Sequence, residues 1–273
     1  MKKYKLCLIG YPLKKTLSPL IFRKISKLIN VKIKFEVIER KKIDPQKILN
    51  KKYEGFFITI PYKKLFHKYT ISDKIANKLK IINCIKKAKN KFYSTNTDYK
   101  ALIALTKKTL MKNKTATILG NGATAYISAY FLINREVKKI YLSARNHQKS
   151  TDIIELAKKN NIDLKLIKFP NIPKSEIIIN ATPLGMYFNQ KIKLPKNTEL
   201  VIDFAYTKKG KTDLIKNCIK NKIKYIGGIE ILIMQALYGF KFISSIDLKK
   251  YYKKILKEFL WNTLQQAIHM ENV

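Results

Sequence analysis

The chain has 273 residues, and its 57 lysines and arginines against 18 acidic residues give a formal net charge of +39. This length can bury a full hydrophobic core, and we expect two domains because the sequence changes character near Asp98. The lysines are spread along the whole chain with abundant isoleucine and asparagine, as is typical of an AT-biased coding sequence. We therefore interpret the charge as solvated surface with incidental, weak polyanion binding, and expect neither a specific nucleic acid nor a membrane as partner.

The cysteine spacing and the apolar runs exclude several other classes of protein. Cys7, Cys84 and Cys218 lie far apart and form no CxxC motif or Cys/His cluster, so the sequence predicts no disulfide framework and no metal site. The apolar run Leu6 to Ile9 is too short for a signal peptide, which predicts a cytoplasmic protein. The uncharged stretch Thr115 to Asn134 has glycines in its middle, which indicates strand, turn and helix instead of a membrane span.

The first hundred residues alternate short apolar runs with amphipathic stretches, which predicts an α/β domain. Buried strands are predicted at Tyr4 to Ile9, Ile33 to Val37 and Phe56 to Ile60. A helix is predicted to begin at Ser18-Pro19, with Ser18 as the N-cap and Pro19 at the first helical position. Ile81 to Lys86 and Phe92 to Thr95 could pair as a hairpin.

From Asp98 the chain predicts a helix to about Met111 and then alternating strands and helices. The strands are predicted at Thr115 to Leu119, Lys139 to Leu142, Asp163 to Ile167, Glu176 to Ile179 and Leu200 to Asp203. The helices are predicted at Ala125 to Asn134, Ser150 to Asn160 and Thr212 to Lys222. This alternation indicates a parallel, doubly wound sheet. After Gly228 the chain is predicted to be helical almost to its end, and Ile229 to His269 are expected to return to the first domain.

A glycine-rich turn between a predicted strand and helix indicates a dinucleotide site. Gly120 permits a tight turn, Gly122 removes a side chain where a diphosphate would approach, and Ala125 allows close helix packing. The predicted cofactor-binding residues of this turn are Gly120, Asn121, Gly122, Ala123, Thr124 and Ala125. The next strand is followed by Arg145 and Lys149, where an NAD-specific site usually has an acidic residue. This favours the 2′-phosphate of NADP.

The first domain contains two hydroxyls, Thr16 and Ser18, between a predicted strand and helix. They could hold a carboxylate by hydrogen bonds, or Ser18 could be a simple N-cap. Further segments follow in order: Thr59-Ile-Pro61-Tyr-Lys63, Ile82-Asn83-Cys-Ile, Asn96-Thr97-Asp98, Asn180-Ala-Thr-Pro-Leu-Gly-Met186, Asp203-Phe-Ala-Tyr206 and Gln235-Ala236. Together with the glycine turn, they resemble the shikimate dehydrogenase family in order and spacing, from Gly10 to about Phe242.

The resemblance implies an oxidoreductase that reduces 3-dehydroshikimate to shikimate with NADPH, on the path to chorismate and aromatic amino acids. Lys63 and Asp98 would flank the substrate hydroxyl that becomes a ketone and would exchange its proton. The implied contacts to the substrate carboxylate are Thr16, Ser18 and Tyr206, and those to ring hydroxyls or their surroundings are Thr59, Asn83 and Gln235. Gln235 could instead be an ordinary helix-surface amide. Thr182 or the Gly185 backbone is implied near the nicotinamide and ribose, and Gly228 is also an implied cofactor contact.

The implied fold is an N-terminal substrate domain, residues 1–98 completed by 229–273, and a Rossmann-like NADP domain, residues 99–228, in a monomer or homodimer. The chain departs from the family at Phe57, Tyr99, Ala144 and Glu230, where asparagine, glycine, asparagine and glycine are usual. These departures leave two alternatives open. One is a quinate/shikimate dehydrogenase that uses NAD, and the other is a catalytically weakened family member with incidental polyanion binding.

Overall fold

The computed structural model describes residues 2–188, 191–207 and 211–260, which form two compact units. The first unit contains residues 2–101 and 232–260, and the second contains the described residues from 102 to 231. Residues 261–273, which include the end of the predicted helical region at His269, lie outside the described residues. None of the helices in the described residues combines the length and the apolar character that a membrane span needs.

The first unit is built on a six-stranded mixed sheet with the strand order β2-β1-β3-β5-β6-β4. Its strands are β1 (Lys3–Gly10), β2 (Lys32–Glu39), β3 (Gly55–Ile58), β4 (Ile71–Ser72), β5 (Cys84–Ala88) and β6 (Lys91–Thr95). Its helices are α1 (Ser18–Leu28), α2 (Pro45–Leu49), α3 (Lys74–Leu79) and most of α4 (Thr97–Leu105). The predicted α/β class is confirmed, and β3 ends at Ile58, two residues before the predicted end.

The predicted hairpin is also confirmed, because β5 and β6 pair in antiparallel register. Lys89 and Asn90 join them with φ angles of 47° and 59°, the left-handed pair that a two-residue hairpin turn requires. Because side chains alternate along a strand, Phe56 and Phe57 of β3 face opposite sides of the sheet. Phe56 joins the core around Phe66, whereas Phe57 packs against Phe22 with 4.9 Å between ring centroids.

The second unit is a six-stranded parallel sheet with the order β12-β11-β10-β7-β8-β9. Its strands are β7 (Thr115–Leu119), β8 (Lys139–Ala144), β9 (Asp163–Lys168), β10 (Ile177–Asn180), β11 (Leu200–Asp203) and β12 (Lys224–Ile226). Its helices are α5 (Ala123–Ile133), α6 (Thr151–Lys159), α7 (Asp213–Lys220) and the start of α8 (Gly228–Ser244). Counted from β7, the order is 3-2-1-4-5-6, so the predicted doubly wound sheet is confirmed.

Two predicted helix ends are wrong. Helix α4 ends at Leu105 instead of about Met111, and the Thr106 hydroxyl bonds back to the Leu102 carbonyl at 2.7 Å. Helix α8 ends at Ser244, because Ser245 adopts a left-handed φ of 66°, and a separate helical segment begins at 252. The described C-terminal region therefore consists of two helices separated by a break at 245–248, and from Leu232 onward it lies in the first unit.

The winding of the second sheet reverses between β7 and β10, which are neighbours at its centre. In open α/β sheets, ligands bind beyond the carboxyl ends of the strands at this reversal. The loop after β7 contains Gly120, and the loop after β10 contains Thr182. Both loops are joined at their bases, since the Ala181 N–H donates to the Leu119 carbonyl at 3.0 Å.

Candidate functional site

The first unit places a lysine and an aspartate in direct contact. Lys63 Nζ lies 2.7 Å from Asp98 Oδ2, and the two side chains are only 12% and 11% exposed. Asp98 lies in the first turn of α4, where the helix dipole favours negative charge. Asn96 shapes this turn, since its Oδ1 accepts the Tyr99 N–H at 2.9 Å. Lys63 lies in the turn after β3, and its carbonyl accepts the Ile82 N–H at 3.0 Å. A pair this close can pass a proton to or from a bound group.

Buried hydrogen bonds connect the residue beside Asp98 to two other predicted substrate residues. The Asn83 Oδ1 atom accepts the Thr97 backbone N–H at 2.6 Å and its hydroxyl at 3.1 Å. The Thr97 hydroxyl also lies 3.2 Å from Gln235 Oε1, and Gln235 Nε2 donates to the Leu232 carbonyl at 3.0 Å. Lys63, Asp98, Asn83 and Gln235 are thus brought together, and Gln235 is more than a surface amide.

The hydroxyl pair near the start of α1 does not cap that helix. The N-cap is Leu17 with no side-chain cap, and Ser18 is already helical, so the N-cap interpretation of Ser18 is wrong. The Thr16 hydroxyl instead donates to Ser18 Oγ at 3.3 Å, which leaves both oxygens in one small polar cluster. Thr59 lies against the end of β1, where a Cβ placed at Gly10 would be 2.4 Å from Thr59 Cγ2.

The glycine turn of the second unit has the shape that its sequence predicts. Gly120 has a φ of 98°, and a Cβ there would lie 2.8 Å from Thr182 Cγ2. Gly122 is the N-cap of α5, without a side-chain cap, and a Cβ there would meet no described atom within 4 Å. Ala125 is fully buried. Open space before an uncapped helix N-terminus fits the diphosphate of a dinucleotide.

The segment after β8 carries exposed positive charge. The Arg145 guanidinium lies 6.0 Å from the Phe169 ring centroid and 5.7 Å from that of Phe188, which holds it by cation–π contacts. Lys149 is exposed in the short 3-10 helix that follows. Asn121 Nδ2 donates to the Asn146 carbonyl at 2.6 Å, so its amide supports this segment.

A buried polar network lies at the ends of β10 and β11. Asp203 Oδ1 accepts from Asn180 Nδ2 at 2.8 Å and from the Ala205 N–H at 3.0 Å, and its Oδ2 accepts from the Thr212 hydroxyl at 2.5 Å. Asn180 Oδ1 in turn accepts the Thr182 hydroxyl at 2.6 Å. Burial raises the pKa of Asp203 to about 6, although these three hydrogen bonds oppose the shift.

Comparison with known proteins gives a consistent result for both units. The model of the shikimate dehydrogenase substrate binding domain matches residues 8–85, and that of shikimate / quinate 5-dehydrogenase matches residues 103–205. A shikimate dehydrogenase (NADP(+)) of Clostridium beijerinckii is 32% identical over 246 residues, which cover 84% of this chain and 88% of the relative. The chain belongs to the shikimate dehydrogenase family. A relative of the same name from Saccharolobus islandicus is 31% identical over 240 residues, which cover 84% of this chain and 85% of the relative.

Structural similarity extends along almost the whole chain. The crystal structure of shikimate dehydrogenase 1 from Peptoclostridium difficile has a TM-score of 0.79 and 25% sequence identity, and the match covers 97% of this chain and 100% of that one. The predicted family and fold class are therefore confirmed. The family is one of oxidoreductases, and the relatives named above carry NADP(+) in their names.

Among the departures from the shikimate dehydrogenase pattern, Glu230 has a local structural explanation. It is the third residue of α8, and its Oε2 lies 2.8 Å from where a Cβ of Gly227 would be. A glutamate at this helical position reaches back to the N-cap backbone. Burial raises the pKa of Glu230, while backbone hydrogen bonds at Glu230 and Gly227 oppose the shift. The carboxylate is thus folded over its own helix start.

The other departures and predicted residues occupy well-packed positions. Phe57 and Tyr99 are buried, at 4% and 8% exposure, and Ala144 is buried at the end of β8. Gly228 packs against the chain after β11, since a Cβ there would lie 2.3 Å from the Ala205 carbonyl oxygen. Tyr206 is half-buried just beyond it.

Sequence reasoning named no role for Thr97 or Asp203. The signal available for Thr97 was its position between Asn96 and Asp98, and for Asp203 it was a carboxylate ending an otherwise apolar strand. Throughout the described ranges, no three His, Cys, Asp or Glu side chains are grouped to hold a metal ion, and all three cysteines are buried free thiols.

Proposed function

We propose that this chain catalyses the NADPH-dependent, reversible reduction of 3-dehydroshikimate to shikimate, in the pathway to chorismate and aromatic amino acids. The observation that carries the proposal is the nearly buried Lys63–Asp98 pair, 2.7 Å apart, beside Asn83 and Gln235. The names of the relatives, shikimate dehydrogenase (NADP(+)), support both substrate and cofactor.

In this proposal the Lys63 ammonium donates a proton to the ketone oxygen as that oxygen gains negative charge. Asp98 keeps the ammonium in place and stabilises it, and in the reverse direction Lys63 takes the hydroxyl proton back. NADPH supplies the hydride when it is bound. Thr16, Ser18 and Tyr206 bind the substrate carboxylate, and Thr59, Asn83 and Gln235 bind ring hydroxyls or orient the groups that do.

The orientation of Asn83 limits what it can bind. Its Oδ1 already accepts two hydrogen bonds from Thr97, so the Nδ2 group is the part left to face a ligand. Asn83 therefore acts as a donor toward an oxygen, as a polyhydroxylated ring requires. This arrangement fits a hydroxyl or ketone oxygen and disfavours a ligand that offers only donors.

For the cofactor, the residues proposed to bind NADPH are those of the glycine turn and its neighbours: Gly120, Asn121, Gly122, Ala123, Thr124, Ala125, Arg145, Lys149, Thr182 and Gly228. The backbone at Gly122 and the N-terminus of α5 receive the diphosphate. Arg145 and Lys149 receive the 2′-phosphate, since charge-assisted hydrogen bonds to phosphate favour arginine. Residues 1–98 with the C-terminal helices form the substrate domain, and residues 99–228 form the cofactor domain, in a cytoplasmic monomer or homodimer.

A quinate/shikimate dehydrogenase that uses NAD is the nearest alternative, and the second matching family model includes quinate in its description. The names of the relatives do not favour it. A weakened enzyme with incidental polyanion binding is also less well supported, because Lys63 and Asp98 are both present and in contact.

Steady-state assays of the full chain test the function. Reduction of 3-dehydroshikimate would be measured with NADPH and with NADH, and the reverse reaction with shikimate and with quinate. We expect kcat/KM to be at least about tenfold higher with NADPH than with NADH, and at least about tenfold higher with shikimate than with quinate. A tenfold ratio corresponds to about 1.4 kcal/mol. Values of kcat/KM with quinate and NADH that equal those with shikimate and NADPH would support the alternative. No turnover with any combination of substrate and cofactor would contradict the proposal.

A further inference from the structure

Asp203 is a fully buried carboxylate that the proposed chemistry does not use. Buried charges in proteins are normally paired with a cation, because an isolated charge is expensive to remove from water. Among the described residues, no lysine or arginine forms an ion pair with Asp203. Its three hydrogen-bond donors are instead a side-chain amide, a backbone N–H and a hydroxyl. Such a costly arrangement calls for an explanation beyond packing.

Two of these hydrogen bonds lead to segments that contain a proposed ligand contact, and the third leads to the start of α7. Through Asn180, Asp203 reaches Thr182, whose hydroxyl and N–H both donate to Asn180 Oδ1, at 2.6 and 3.1 Å. Asn180 Nδ2 also donates to the Leu184 carbonyl at 3.2 Å. The turn after β10 is thus fixed from both ends by one amide, and Asp203 sets the orientation of that amide.

The second bond fixes the chain after β11. Asp203 Oδ1 accepts the Ala205 N–H at 3.0 Å, directly before Tyr206. The Ala205 carbonyl is the surface on which Gly228 packs, with only 2.3 Å between its oxygen and a Cβ placed at Gly228. A shift of Ala205 would therefore displace both neighbours.

The third bond fixes the start of α7. Asp203 Oδ2 accepts the Thr212 hydroxyl at 2.5 Å, and Thr212 is the N-cap that accepts the Ile215 N–H at 3.3 Å. Thr212 also borders Gly185, since a Cβ there would lie 3.0 Å from Thr212 Cβ and Cγ2. Gly185 has a φ of 84°, so this turn has a conformation that depends on its neighbours.

We propose that Asp203 is a positioning residue for cofactor binding, which holds the loop 180–186, the Ala205 turn and the start of α7 in the arrangement that NADPH requires. This inference rests on the proposed function. A carboxylate suits the position because it can accept from three donors at once, whereas an asparagine offers one acceptor oxygen and one donor group. The raised pKa of Asp203, about 6, is consistent with a group retained for its geometry at the expense of desolvation.

The test compares Asp203→Asn with Asp213→Asn in the full chain. Asp213 lies one residue after Thr212, is 75% exposed, and its substitution removes the same charge outside the network. We expect Asp203→Asn to weaken the Kd for NADPH about tenfold or more, with a smaller rise in the KM for 3-dehydroshikimate because the Ala205 turn also leads to Tyr206. Asp213→Asn should leave both constants within about twofold. Tm measured on each variant identifies loss of the fold.

Thr212→Val and Thr212→Ser keep the inference testable if Asp203→Asn does not fold. Valine removes the hydroxyl that donates to Asp203, and serine keeps it, so NADPH binding should weaken with valine and recover with serine. Folded Asp203→Asn and Thr212→Val proteins that bind NADPH like the wild type would overturn the positioning role. If the wild type itself binds no NADPH, the proposed function fails instead, and this outcome is distinct from the first.

Discussion

Two carboxylates of the first unit, Asp98 and Asp73, differ from Asp203 of the second unit in how their negative charge is compensated. In the first unit Asp98 pairs with Lys63 at 2.7 Å and Asp73 pairs with Lys100 at 2.9 Å. In the described part of the second unit, Asp203 has only uncharged hydrogen-bond donors. A lysine partner keeps a charged group beside the carboxylate and carries a proton that can be transferred, whereas three uncharged donors hold the carboxylate in a fixed orientation. The Asp98–Lys63 pair is therefore suited to proton transfer, and Asp203 is suited to holding loops in position.

The effect of these surroundings on protonation differs in direction. Burial tends to raise the pKa of Asp73, but hydrogen bonds from Thr95, the Ala76 backbone and Lys100 outweigh it and lower the pKa. At Asp203 burial prevails and raises the pKa to about 6. Both carboxylates accept three hydrogen bonds, so the number of bonds does not decide the outcome. The presence of a cation and the degree of burial decide whether the pKa is lowered or raised.

The largest expected effect breaks the charged pair of the first unit. Lys63→Ala and Asp98→Asn should each lower kcat for 3-dehydroshikimate reduction about a hundredfold to ten-thousandfold, the usual range for a lost general acid or base. Lys68→Ala is the matched control, because Lys68 is an exposed lysine of the neighbouring 3-10 helix. Wild-type kcat in either pair variant would remove these residues from the proton transfer.

The next effect concerns stability and pH at Asp203. Its folded pKa of about 6 exceeds the ordinary value of 3.8, so its stabilising contribution is fully present below about pH 4 and is lost as pH rises through about 6. A difference of about two pKa units corresponds to about 3 kcal/mol. The free energy of unfolding of wild type relative to Asp203→Asn should fall by up to this amount between pH 4 and pH 8, which denaturant titrations measure.

For Asp73, the free energy of unfolding relative to its Asn variant should change with pH in the opposite direction. Because its pKa is lowered, its contribution is present above its ordinary pKa and is lost as pH falls through the lowered value. The wild type should therefore lose stability relative to Asp73→Asn only at acid pH. Parallel pH profiles for the two variants would contradict the contrast between Asp73 and Asp203. The Cys218 thiol near Asp203 does not interfere, because burial and the Asp203 charge raise its pKa to about 12.

A smaller effect is expected at Thr97, which is fully buried and orients Asn83. Thr97→Val removes the hydroxyl but keeps the volume, and should raise the KM for 3-dehydroshikimate about tenfold, since one lost hydrogen bond corresponds to about 1 kcal/mol or slightly more. Thr97→Ser keeps the hydroxyl and should restore the KM. An unchanged KM with valine would show that the Thr97 backbone N–H alone orients Asn83.

The smallest effect is expected at the exposed Arg145. Arg145→Ala should raise the KM for NADPH about threefold to tenfold, because charged contacts at exposed sites contribute little more than about 1 kcal/mol. NADH lacks the 2′-phosphate and serves as the internal control, so its KM should stay within about twofold. Equal losses for both cofactors would mean that Arg145 supports the loop through Phe169 and Phe188 instead of recognising the phosphate.

Local sequence patterns were sufficient to predict the elements whose structure depends on neighbouring residues. The β7 strand, the glycine turn and α5 follow from an apolar run, two glycines and a second apolar run, and the structure has them at Thr115–Leu119 and Ala123–Ile133. The ends of α4 and α8 were mispredicted, because hydroxyl-to-carbonyl bonds and a left-handed serine end these helices without proline or glycine. Ser18 resembled an N-cap, but the helix includes it.

The sequence by itself determined the order of elements, the doubly wound second sheet, the family and the residues that resemble its site. The elements could be predicted because hydrophobic periodicity and turn chemistry act between neighbours along the chain, whereas the family and its site residues came from the resemblance of the motifs. Only the tertiary structure decided that Asp98 meets Lys63, that Thr97 orients Asn83, and that Asp203 lacks a charged partner among the described residues. These are contacts between distant segments. The family resemblance placed Lys63 and Asp98 at one site, but local patterns in a chain with this many lysines do not specify the atoms that meet or the distance between them.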